Sequence, residues 1–452
     1  MQGGNNDRAR AGRGWLAVAT FLAVLAARPL WAAPDDTARM DALERRLDAS
    51  MKLIRELSQR VEQLQKQLAH QGIANSAGPS GASPNAGTAA APSPDEQRIS
   101  AVEQSVQQIA LSTSDRAAAS GLPLHGFADV DAGTHNPTFP NLKGADIGSM
   151  EFFLTPRLGD RTRALFELNF EVDSSGDVGV DLERAQIGYQ LADSTTVWLG
   201  RFHTPYGFWN TAFHHGLQIA TSLRRPAFLE FEDHGGIMPA HTVGAWLTSA
   251  QRIGDGRLTY DVYVGNNQRI RGGMLDMNSA GSAHGGAIVG GNLGWLFGGA
   301  LDGLKVGVDA LSSRIEDVDT TPTIVTRLRS YGTYLAYDTD RWEHIAEFHL
   351  FSNYGLQPAG ATYHSHAGFV QLGYRMPDRF TLYTRYERTV LQQADNYFQA
   401  LNTGRSYHRE ALGLRYDLDL ASALKMELAT TRFTDRTPMS YDEALLQYAI
   451  RF

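Results

Sequence analysis

Cysteine is missing from all 452 residues of this chain. Its absence excludes a disulfide scaffold, thiol catalysis and thiolate-bound metal centres. Positive charge is not in excess either: a formal net charge of -8 and a pI near 6.0 give no support to a nucleic-acid partner. A long apolar run is also lacking. The stretch WLAVATFLAVLAA at 15–27 falls short of the roughly 20 residues a membrane helix needs. No later segment is more apolar, so any membrane insertion has to come from strands.

What is present begins with that stretch. Arg8, Arg10 and Arg13 precede it, and small residues follow up to an acidic start at Asp35. A basic region, a short apolar region and small residues are the pattern of a secretory signal, expected over 1–33 with cleavage near Ala32 or Ala33. Next, Met40, Leu43, Leu47, Ser50, Ile54, Leu57, Val61, Leu64 and Leu68 alternate at three- and four-residue spacing. This a/d seam predicts a coiled coil over 34–70. Met51 and Leu53 widen the stripe, which suits three helices better than two. Residues 71–94 are Gly, Pro, Ala and Ser with almost no large apolar side chain, a disordered linker. Asp95 caps a short helical pattern through Ile99, Val102, Val106 and Ile109 that closes by Gly121, giving a segment 95–121.

From residue 122 the period changes to two. In ALFELNFEV (164–172), Ala164, Phe166, Leu168, Phe170 and Val172 share a face opposite Glu167, Asn169 and Glu171. RLTYDVYV, LKVGVDA, GFVQLGYRM, EALGLRYDL and ALKMEL repeat the alternation. Runs of this kind predict an all-β fold of about 16 antiparallel strands over 122–452. A soluble sandwich and a membrane barrel share this pattern with opposite faces buried. The export signal, strand lengths near ten residues, and aromatics near strand ends favour the barrel. Those aromatics include Tyr189, Trp198, Phe202, Tyr337, Trp342, Tyr374, Tyr416 and Tyr448, read as an interfacial girdle. The chain ends EALLQYAIRF, with Phe452, Ile450, Tyr448 and Leu446 on one face. Such an end resembles the C-terminal strand of bacterial outer-membrane β-barrels, which implies that the barrel-assembly machinery reads it and that it then pairs with the first strand, leaving no open edge.

WLGRFHTPYGFWN (198–210) carries a more specific signal. Through Gly200, Arg201, Phe202, Thr204, Pro205, Tyr206 and Gly207 it resembles the phosphate-selective porin O and P type family, and GFADVDAG (126–133) resembles the family's barrel openings. The resemblance implies a bacterial outer-membrane porin with a water-filled lumen. In porin-like folds a long loop after the fifth strand bends inward, and by position residues 206–236 are that loop. It would bring Arg224 and Arg225 opposite Glu230, Glu232 and Asp233 at a constriction. The competing reading is an extracellular surface loop with solvated charges. Phosphate-selective relatives are associated with clustered lysines, yet from residue 122 onward only Lys143, Lys305 and Lys425 occur, far apart. General diffusion of small polar solutes is therefore the expected function, with an anion channel for phosphate or carboxylates the alternative.

Strand parity assigns Arg184, Arg201, Arg375, Arg385, Arg415, Glu167, Glu171, Glu347, Glu387 and Glu427 to the lumen. His214, His215, His234 and His241 lie near one another, but no ligand spacing supports a metal, and none is expected. Asp233 and His234 lack a nucleophile, so no enzyme and no cofactor is expected. The wider apolar seam implies a homotrimer, lipid surrounds the barrel, and the coil lies in the periplasm. A membrane-anchored adhesive coiled coil is the remote alternative, disfavoured because the barrel far outweighs the coil.

Overall fold

The computed structural model describes residues 124–134, 144–172, 178–213, 218–276, 278, 286–435 and 439–452. The expected signal (1–33), coiled coil (34–70), linker (71–94) and helical segment (95–121), with Lys143, His214 and His215, lie outside the described residues.

The strands follow one another in the chain. They are β1 (Leu124–Gly133), β2 (Gly144–Leu154), β3 (Thr162–Val172), β4 (Val178–Ala192), β5 (Thr195–His203), β6 (His241–Ile253) and β7 (Gly256–Gly265). A short hairpin, β8 (Arg269–Arg271) and β9 (Met274–Asp276), precedes β10 (Ile288–Leu296), β11 (Leu304–Asp317), β12 (Ile324–Asp338) and β13 (Trp342–Gln357). The last five are β14 (Ala359–Arg375), β15 (Phe380–Val390), β16 (Tyr407–Asp417), β17 (Ser422–Phe433) and β18 (Met439–Arg451).

Each wall strand pairs antiparallel with the next, and β7 pairs with β10, leaving the hairpin outside the wall order. The hairpin docks on β11 through Arg269 and Ile270. β18 returns to β1 with Ala128 opposite Ile450 and Val130 opposite Tyr448. The result is a closed barrel of 16 antiparallel strands, with no unpaired edge in the wall among the described residues.

The polarity of the two faces decides between sandwich and membrane barrel. In β13, Glu343, Glu347, His349 and Asn353 are buried while Phe348 and Leu350 are exposed. In β14 and β15, Gln371, Arg385 and Glu387 are buried, whereas Val370, Leu372, Leu382 and Tyr386 face out. A soluble sandwich would bury the second set and solvate the first. Here the polar set fills the interior and the apolar set faces outward, the inversion that a lipid surround requires. Tyr189, Trp342 and Tyr448 are outward aromatics, as expected of a girdle. Trp198 and Phe202 are not. They are 5% and 0% exposed and pack on Trp246, because Leu199 between them takes the outward position.

At the seam, Gly126 and Phe452 exchange backbone N–H···O bonds of 3.0 Å in both directions. The Phe452 ring lies edge-on to Phe152 with centroids 5.9 Å apart. A Cβ on Gly126 would fall inside that ring, so glycine at 126 is what lets the terminal aromatic lie flat against β1.

Candidate functional site

The connection between β5 and β6, residues 204–240, is where the barrel departs from a plain wall. Its entry is the TPYG run. Gly207 has φ +60, and a Cβ there would collide with the Glu347 carboxylate. That close approach lets Glu347 Oε1 accept the N–H groups of Phe208, at 3.1 Å, and Trp209. These are otherwise orphan donors at the start of the one-turn helix α1 (Trp209–Ala212). Gly207 also donates to Asp309 Oδ2 at 3.1 Å, and its carbonyl accepts from Asn292 at 3.1 Å.

Further along, the same connection meets the opposite side of the wall. Leu223 N–H donates to the Tyr383 hydroxyl at 3.0 Å, and Ala227 N–H to Glu387 Oε2 at 2.8 Å. Arg385 donates to the carbonyls of Arg224 (2.7 Å) and Arg225 (3.2 Å). Arg415 reaches the carbonyls of Gln218 and Ala220 at 2.6 and 2.8 Å, and Lys425 that of Ser222 at 3.2 Å. The segment is thus held by inward side chains of β10, β11, β13, β15, β16 and β17, and it crosses the interior. Its apolar side chains make their own core there. Phe208, Trp209, Phe228, Leu229 and Met238 are nearly fully buried with wall residues Ile345, Phe351 and Phe369. Such burial contributes on the order of 1.5–3 kcal/mol per large side chain. From the β15–β16 connection, α2 (Asn396–Ala400), N-capped by Asp395, supplies Tyr397, whose hydroxyl donates to the Ile237 carbonyl at 2.7 Å.

The residues expected at a constriction divide into two groups. Arg225 is buried: it donates to Asn210 Oδ1 at 2.8 Å and to the Leu229 carbonyl at 2.9 Å, and stacks over Phe231 at 3.9 Å. Glu232 is buried too, accepting from the His241 N–H and from Gln268. These two are scaffold, which corrects the expectation that they face the solute path. Arg224 and Glu230 are half-buried and Asp233 is exposed. Burial pushes the Glu230 carboxyl above its ordinary range, against the pull of Arg225.

Among the expected lumen charges, Arg184 pairs with Glu167, and Arg385 with Glu387 at 2.8 Å. Glu171 meets His234 at 3.0 Å, and Arg201 donates to Asn278 Oδ1 at 2.9 Å. Arg409, which the parity reading passed over, is the hub of a charge cluster: it bonds Glu427 at 3.1 Å and Glu443, and approaches Glu387 at 4.0 Å. Also passed over were Asp129 and Glu151, buried on β1 and β2 beside Glu167 on β3. The interior therefore has an acidic sector on β1–β3 and, on β15–β18, an arginine sector whose Arg385 and Arg409 are paired with carboxylates. Below the crossing segment, at the barrel end that holds Phe452, lies a cavity of about 330 Å³. Phe208, Phe213 and Thr221 roof it, and its charged lining is Arg375, Arg379 and Arg415 with Asp338, Glu343 and Asp417.

No protein-family model matches this sequence, and no curated protein matches it. Solved structures do. An anion-selective porin from Comamonas acidovorans is similar at 13% identity with a TM-score of 0.47, covering 73% of this chain and 98% of its own. The outer membrane channel DcaP of Acinetobacter baumannii is similar at 10% identity with a TM-score of 0.48, over 73% and 96%. Salmonella typhi OmpF, in complex with daunomycin, is similar at 11% identity with a TM-score of 0.46, over 73% and 97%. The barrel itself stands on the closed ladder and the polarity of its two faces.

Proposed function

We propose that this chain is a general-diffusion porin of the bacterial outer membrane, passing small polar and charged solutes through a water-filled lumen. The observation that carries the reading is the segment 204–240, held across the interior by wall side chains from β10 to β17. A lumen crossed by one fixed segment sets a size limit without moving parts. Arg224, Glu230 and Asp233 are the segment's charges nearest the solute path, and opposed charges there orient a dipolar solute. A balanced cavity lining, with three arginines against three carboxylates, favours weak selectivity over an anion filter. The residues 34–70 seam supports a homotrimer whose coil stands in the periplasm.

Planar-bilayer recording of the purified full chain in a KCl gradient tests this. Stepwise conductance with a reversal potential close to zero is expected. A reversal near the ideal value for one ion replaces general diffusion by a selective channel, and a silent bilayer overturns the reading. Removing residues 34–120 is expected to leave conductance per barrel intact while abolishing three-fold closures.

A further inference from the structure

We propose that Glu183, His203 and His241 form a binding site for a late first-row divalent cation, of the zinc type, at the neck of the crossing segment. Each comes from a different strand. His203 is the last residue of β5 and His241 the first of β6, and the two are direct register partners. Glu183 sits in β4, at the step where pairing with β3 shifts between Leu182 and Arg184. The segment 204–240 leaves the wall after one histidine and rejoins it before the other.

The three donor atoms converge. His241 Nε2 lies 2.7 Å from Glu183 Oε2 and 3.0 Å from His203 Nε2, and all three donors lie within 4.8 Å of one another. All three residues are buried. The other side of His241 is already committed. Its Nδ1 is 2.8 Å from Glu232 Oε2, while Glu232 Oε1 accepts from the His241 backbone N–H at 2.8 Å and from Gln268 Nε2 at 2.6 Å. With its second oxygen so occupied, Glu232 holds the proton on Nδ1 and leaves Nε2 to act as a ligand. A carboxylate behind a ligating imidazole is how metal sites fix ring orientation and tautomer. Phe231 stacks on His241 with centroids 5.5 Å apart and stands edge-on to His203, walling the site.

The alternative occupant of this geometry is a proton: His241 as imidazolium, donating to both carboxylates. Two imidazole nitrogens and one carboxylate oxygen converge on one point, a donor set that a divalent cation uses in full and that a single bridging proton does not. The donor set of two imidazole nitrogens and one carboxylate oxygen suits zinc, copper or nickel better than calcium or magnesium. Ligand bonds of about 2.0–2.2 Å at tetrahedral angles put donor atoms about 3.3 Å apart, so His241 Nε2 withdraws by about 0.6 Å from Glu183 and about 0.3 Å from His203 to admit the ion. The fourth position is left for water.

The full chain, refolded into detergent with Zn²⁺ and then dialysed, tests the site, because loading during folding needs no path through the closed wall. One zinc per chain is expected by elemental analysis. Glu183→Gln and His203→Ala are each expected to lose stoichiometric zinc while still running as heat-modifiable barrels. Glu232→Gln, acting through His241, is expected to weaken zinc about 10–100-fold. Asp233→Asn, in the separate Glu171–Asp233–His234 group, is expected to leave binding unchanged. If the variants fail to fold, electron paramagnetic resonance of Cu²⁺ on the wild-type barrel decides, with hyperfine coupling to two imidazole nitrogens expected. Zinc retained equally by the Glu183→Gln, His203→Ala double variant, or a wild-type barrel that takes up none, overturns the proposal and leaves the imidazolium.

Discussion

Glu347 on β13 and Phe208 in the β5–β6 connection are 139 residues apart in the chain and 3.1 Å apart in the fold, joined by a backbone N–H donated to a buried carboxylate. The same oxygen takes the N–H of Trp209, so one side chain ends the entry turn of the crossing segment. Replacing it by alanine leaves two buried donors without their acceptor, at about 1–3 kcal/mol each. Glu347→Ala is expected to keep the barrel folded and loosen the segment. The measurement is open-channel noise, which is expected to rise together with mean conductance. Traces identical to wild type would mean that the segment does not bound the conducting path.

Arg224 and Arg225 are neighbours in the chain with different duties. Arg224→Glu is expected to shift the reversal potential in a KCl gradient towards cations, since low-dielectric walls strengthen a charge beside the path. Arg225→Glu puts a carboxylate against Asn210 Oδ1, the Leu229 carbonyl and the Phe231 ring. Breaking a buried charged contact costs about 3–5 kcal/mol, so this variant is expected to lose folded barrel instead of changing selectivity. Equal electrical effects from the two would contradict the division.

The barrel seam offers a paired test. Phe452→Ala is expected to lower the amount of heat-modifiable barrel recovered from the membrane without altering conductance in what inserts. Gly126→Ala, which drives a methyl into the Phe452 ring, is expected to do the same from the other strand. Wild-type recovery of both would remove the seam from the assembly step.

Most of the wall was legible because lipid imposes a period of two on every strand, and runs such as 164–172 and 410–418 state it openly. Length and the mix of apolar and charged residues marked 206–236 as a long, ordered connection, while its inward course was only what the porin resemblance implied, against a surface-loop alternative. What failed to show needed the fold itself. Trp198 and Phe202 look like girdle aromatics because alternation says which residues share a face, not where a segment folded inside makes the inner face apolar. Arg225 and Glu232 read as solute-facing because their burial comes from Asn210, Phe231 and Gln268. Arg409 has the parity of Arg415 and lay one residue outside the quoted run. Glu183, His203 and His241 share no local spacing at all, and only strand register brings them together.

Arg409 permits the sharpest test of the arginine sector. It lies against Glu387, Glu427 and Glu443, on three strands, and is buried with them. Removing the guanidinium leaves Glu427 and Glu443 without it in a low-dielectric interior, beside a Glu387 that keeps only Arg385, and mutual repulsion there is strong. Arg409→Met, of similar length and no charge, is expected to cost about 3–5 kcal/mol in barrel stability at neutral pH. Acidification relieves the repulsion by protonating the carboxylates, so the gap between variant and wild type is expected to narrow as pH falls. Urea unfolding in detergent across a pH series measures it. The triple variant Arg409→Met, Glu427→Gln, Glu443→Gln carries the check on cause, since deleting the orphaned charges is expected to recover much of the loss. A gap that is flat with pH and unrescued by the triple variant would mean that Arg409 acts by packing, not by charge.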